Sequence, residues 1–61
     1  MTEREKRDLL ARYADYFRKA EEADATADIA HGEMTRNSFR MVAQGWRQLA
    51  EQVKRTLRRC T

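Results

Sequence analysis

Residues 9–30, LLARYADYFRKAEEADATADIA, place apolar side chains at Leu9, Tyr13, Tyr16, Ala20, Ala23, Ala27 and Ala30, in alternating steps of four and three. Such steps return to one face of an α-helix turn after turn, as on a helix with a packed neighbour. Residues 39–60, FRMVAQGWRQLAEQVKRTLRRC, repeat the rhythm in mirror order through Phe39, Val42, Trp46, Leu49, Val53, Thr56 and Cys60. Between the runs stand His31 and Gly32. Glycine just past a periodic run is the usual left-handed helix stop. The reading is an all-α, antiparallel two-helix hairpin.

The ends support it. Thr2 and Glu5 have capping-box spacing, so the first helix is predicted to start near residue 2 and run to about residue 30. Glu3, Glu5 and Asp8 then lie near its positive dipole end, and Asp15 with Lys19 forms a four-residue ion pair. A turn at about 31–34 leads into a second helix at about 35–59, with its start around Glu33 to Thr35, and its last turns carry Lys54, Arg55, Arg58 and Arg59. So short a connection makes the helices antiparallel neighbours. The expected facing pairs are Ala27 with Phe39, Ala23 with Val42, Ala20 with Trp46, Tyr16 with Leu49 and Tyr13 with Val53. Large side chains meet small ones near the turn, as dense packing requires.

Sixty-one residues make one small domain, near the lower limit of what folds alone. A single cysteine allows no internal disulfide, and Cys60 with His31 cannot complete a structural zinc site. No apolar run is long enough for a bilayer, and the charged stretch from Thr2 to Asp8 is unlike a secretory leader, so the expected location is the cytoplasm. Residues 1–30 hold six Lys/Arg against eight Asp/Glu, and residues 31–61 hold seven against two, which leaves the basic excess on the second helix.

The apolar face is wider than two helices need. Leu10 and Phe17 form a second row on the first helix, and Ala43, Ala50 and Leu57 form another on the second. A broad stripe implies further neighbours. Burial of a large apolar side chain is worth roughly 1.5–3 kcal/mol, so leaving Leu10, Phe17 and Leu57 in water is costly for so small a protein. The expected remedy is a two-fold homodimer forming a four-helix bundle, or docking on another protein. The residues expected to associate are Leu10, Tyr13, Phe17, Trp46, Leu49, Ala50 and Leu57.

The motif Tyr16-Phe17-Arg18-Lys19-Ala20-Glu21-Glu22, then Arg36-x-x-Phe39 and Ala43-x-x-Trp46-x-x-Leu49-Ala50, resembles short bacterial helical-hairpin proteins. Those proteins carry an aromatic-Arg-x-x-Ala first helix and an Ala-x-x-Trp-x-x-Leu-Ala second helix. The likeness covers about residues 16–53 and implies the hairpin fold. It implies no activity, because that group has none established. This chain departs from the pattern at His31-Gly32, where an Asp-Pro-like turn is expected.

Each candidate site has a plainer alternative. Arg40, Arg47, Lys54, Arg55, Arg58 and Arg59 could track the phosphates of a nucleic acid. Alternatively, Arg58 and Arg59 neutralise Glu3, Glu5 and Asp8, Arg36 and Arg40 neutralise Asp24 and Asp28, and Glu51 interrupts Arg47 and Arg55. No helix-turn-helix or zinc-finger frame is present. Trp46 reads as core before it reads as a recognition hot spot. Gly45, costly inside a helix by about 1 kcal/mol, suggests close approach of another helix or room for the indole. His31 reads as a loop residue, Tyr13 and Tyr16 as core with polar tips, and Cys60 as a seam residue or an intermolecular disulfide. Two helices offer no concave site for acid–base chemistry, so no catalytic, cofactor or metal residue and no small-molecule substrate is expected. Mixed charge on the polar faces disfavours a membrane-surface helix. The expected function is a non-enzymatic interaction module, adaptor, inhibitor or regulator, with nucleic-acid binding as the alternative.

Overall fold

Thr2 opens the first helix by accepting a hydrogen bond from the Glu5 backbone N–H through its hydroxyl, at 3.2 Å. In the computed structural model, which describes residues 1–59, helix α1 runs Glu3–Ile29 and helix α2 runs Glu33–Arg59. The expectations placed on Cys60 lie outside the described residues. Helix α2 begins at Glu33, at the early edge of its expected start around Glu33 to Thr35. The Gly32 carbonyl already accepts from the Arg36 N–H at 3.1 Å, which closes a first helical turn ahead of the apolar pattern.

The elbow is short. Ala30 ends α1 in an extended conformation, its N–H donating to the Ala27 carbonyl at 3.2 Å, and Gly32 follows at φ 116°. That region suits glycine because a Cβ there crowds the backbone. Gly32→Ala is therefore expected to cost about 1–2 kcal/mol. Urea unfolding followed by circular dichroism measures it, and an unchanged midpoint would show that the turn tolerates a side chain.

The seam is made of alanines. Ala20, Ala23, Ala27, Ala43 and Ala50 are the buried apolar residues, and among the described residues no large side chain is fully buried. Ala20, Ala23 and Ala43 form one cluster with Trp46 packed against it. Tyr16 stacks on Trp46, ring centroids 5.7 Å apart and planes 25° apart. The molecule is a thin lath of 46 × 15 × 9 Å.

The expected seam on α1 faces α2. On α2 the register needs correction by one row. Phe39, Ala43, Trp46, Ala50, Val53 and Leu57 are buried or half-buried, whereas Val42, Leu49 and Thr56 are exposed. Ala20 and Trp46 pack together as expected, but Ala23 shares its cluster with Ala43 rather than Val42, and Tyr16 meets Trp46 rather than Leu49. The cause is steric. Alanines on both sides let the two backbones approach, and the larger Val42 and Leu49 at those positions would hold the helices apart.

Candidate interaction surface

An ion pair fixes which sides of the helices meet. Arg47 donates to the Asp24 carboxylate across the seam. Arg40 and Arg36 were the expected partners of Asp24 and Asp28, but Arg36 instead donates to the Ala30 carbonyl at 3.4 Å. Side chains on a helix lean toward its N-terminus. In an antiparallel pair that tilts Asp24 away from the turn and Arg47 toward it, so they meet.

Leu10, Phe17 and Asp24 follow one another at seven-residue intervals and form one row of α1. Arg40, Arg47 and Lys54 form the matching row of α2. The Asp24–Arg47 contact and a cleft of about 200 Å³ lined by Leu10, Tyr13, Lys54 and Leu57 place both rows on the same flank of the hairpin. Leu10 is 55% exposed and Phe17 38%. Phe17 leans on Tyr13, ring centroids 5.0 Å apart. Lys54 is half-buried, with a stem suited to covering apolar surface while its ammonium stays wet.

Val42 and Leu49 lie elsewhere. At about 100° per residue, Val42 is roughly 140° around α2 from Arg47, which puts it and Leu49 on the opposite flank. They are 48% and 38% exposed. Leu10 and Phe17 are thus on one flank and Val42 and Leu49 on the other, while Ile29, Met34 and Met41 are also exposed. Of the residues expected to associate, the structure groups Leu10, Tyr13, Phe17 and Leu57 on one side and sets Leu49 on the other. Ala50 is fully buried and Trp46 half-buried in the hairpin's own seam, so they have little surface to offer. Val42 is a surface residue that periodicity alone assigns to the core.

On the Val42 flank, α1 contributes a small charge lattice. Asp15 pairs with Arg18 at 2.7 Å and with Lys19 at 3.3 Å, and the Lys19 ammonium sits 4.7 Å from the Trp46 ring centroid. The hydrogen bond from Lys19 is the chief reason that the Asp15 carboxyl titrates below the usual aspartate value; Arg18 assists and desolvation opposes. Of the basic residues of α2, Arg40, Arg47, Lys54 and Arg58 share one face, each within about 20° of Arg47's direction, while Arg55 and Arg59 lie roughly 80° and 120° around the helix.

Among the described residues, no three of His, Cys, Asp and Glu converge to hold a metal, and no helix is long and apolar enough to cross a membrane. Comparison with known proteins finds no matching family model, no matching curated protein and no matching solved structure. The likeness to short bacterial hairpins rests on its quoted residues alone.

Proposed function

We propose that this hairpin is a non-enzymatic protein–protein interaction module that works in self-associated form, stacked hairpin on hairpin into a bundle of four or more helices. It would serve in the cytoplasm as an adaptor, inhibitor or regulator by presenting a helical surface. The observation that carries the reading is Leu10 and Phe17, large and exposed, beside a seam whose buried residues are all alanines. Burial of a methyl-sized group contributes about 0.8 kcal/mol, against roughly 1.5–3 kcal/mol for a leucine or phenylalanine. A large part of the apolar surface of Leu10 and Phe17 is therefore still available to a partner.

Phe17→Asp tests the reading. The position is exposed, so the hairpin keeps its helicity, and sedimentation is expected to show the assembly reduced to monomers. An unchanged mass would remove Phe17 from the interface. Polyanion binding is a second reading, supported by the Arg40, Arg47 and Lys54 row. Asp24 already occupies Arg47, which weakens it. Salt separates the two: nucleic-acid affinity falls steeply as salt rises, whereas apolar association holds or strengthens.

A further inference from the structure

Resting on the self-association reading above, we infer that the two flanks bind each other rather than themselves: the Val42–Leu49 strip of one copy sits on the Leu10–Phe17 row of the next.

Three features fit these surfaces as partners. The first is spacing. Leu10 to Phe17 and Val42 to Leu49 are each seven residues, about 10.5 Å along a helix, so side chains of one pair match the period of the other. The second is the character of the strip. In a chain that is 38% charged, two adjacent rows of α2 run without a charge from Ser38 through Val42, Gly45, Leu49 and Gln52 to Thr56, before Arg59 ends one of them. The hydroxyls of Ser38 and Thr56 donate to the Met34 and Gln52 carbonyls at 3.0 and 3.1 Å, so those donors are already satisfied within the helix. A Cβ built on Gly45 meets nothing within 4 Å, so the hairpin itself has no steric need of glycine there. A mid-helix glycine costs about 1 kcal/mol relative to alanine, and a second helix lying between Val42 and Leu49 gives it a use.

The third feature is charge. With α2 of the second copy over α1 of the first, α1 of the second copy lies over α2 of the first. That sets the α1 row Asp8, Asp15 and Glu22 against the α2 row Arg40, Arg47 and Lys54; Asp15 is already held by Arg18 and Lys19, and Arg47 by Asp24, so the complementarity rests on Asp8 and Glu22 against Arg40 and Lys54. Opposite signs thus meet at the two ends of the rows, as a matched encounter requires. A two-fold pair through the Leu10 flank would instead bring two basic rows into one interface and leave Val42 and Leu49 in water. Because the proposed contact joins unlike surfaces, it is heterologous and each added copy exposes a fresh pair of sites.

The test uses two blocked chains, Leu10→Asp/Phe17→Asp and Val42→Asp/Leu49→Asp. All four positions are exposed, and circular dichroism checks that both chains stay helical. The natural chain is expected to grow in mass beyond a dimer as concentration rises. Each blocked chain alone should sediment as a monomer, and an equimolar mixture should double that mass and stop. If one blocked chain keeps the natural mass, or the helical mixture remains monomeric, the flank-to-flank contact is wrong while self-association stands. If the natural chain is itself monomeric at all concentrations, the self-association reading falls with it.

Discussion

Trp46→Ala is expected to cost the hairpin about 2–3 kcal/mol of folding stability, below the 3–5 kcal/mol of a fully buried tryptophan because the ring is half-covered. The loss has three parts. The indole leaves the Ala20, Ala23 and Ala43 cluster, the Tyr16 ring loses its stacking partner, and the Lys19 ammonium loses the ring 4.7 Å away. A cation near an exposed ring contributes only about 0.5–1 kcal/mol, so packing dominates. Urea unfolding of the natural chain and the variant measures the difference. A loss under about 0.5 kcal/mol, the range of ordinary surface substitutions, would mean that the indole does not hold the helices together.

Ala20→Leu should destabilise the hairpin by a comparable amount, for the opposite reason. Ala20 has no exposed surface and faces Ala43 and Trp46 within one cluster, so added carbons have nowhere to go. Overpacking of this kind costs about 1–3 kcal/mol. The strain should couple to Trp46. Truncating the indole creates space beside residue 20, so the double variant Ala20→Leu/Trp46→Ala should be less destabilised than the two single losses added together. Ala25→Leu, on an exposed position of the same helix, is the control and should change little. Strict additivity in the double variant would place the leucine and the indole apart.

These two variants bracket what was legible in the chain. The seam of α1 could be read directly, because Leu9, Tyr13, Tyr16, Ala20, Ala23 and Ala27 keep one rhythm over its whole length, whereas the apolar row beside it, Leu10 and Phe17, gives way to Asp24. The stop at Gly32, the Thr2 cap and the Asp15–Lys19 pair follow from local chemistry and are where it puts them. Helix α2 is harder, because two neighbouring rows keep the same rhythm. One holds Val42 and Leu49, the other Ala43, Ala50 and Leu57. Choosing the larger side chains as core is the natural reading and fails here, since core size depends on how closely the helices approach. That distance is set by the alanines of α1, a property of the pair that neither helix displays alone.

The same ambiguity hid the second flank. Once Val42 and Leu49 are assigned to the core, the strip they form no longer looks like surface. A signal is nevertheless present: two adjacent rows of α2 free of charge from Ser38 to Thr56, in a chain where more than a third of residues are charged. Core residues need no such neighbours, because the seam already shields them from solvent. The charge pairing departs from level matching for a related reason. Matching acids to bases by level along the hairpin ignores the N-terminal lean of side chains, which moves Asp24 and Arg47 toward one another.

The stacked Tyr16–Trp46 pair has a practical consequence. Trp46 is the only tryptophan in the chain, and its ring lies where the two helices touch. Its fluorescence therefore reports opening of the elbow without any attached dye, and the ammonium of Lys19 makes the emission sensitive to anything that tugs at that side chain. The molecule carries its own optical gauge.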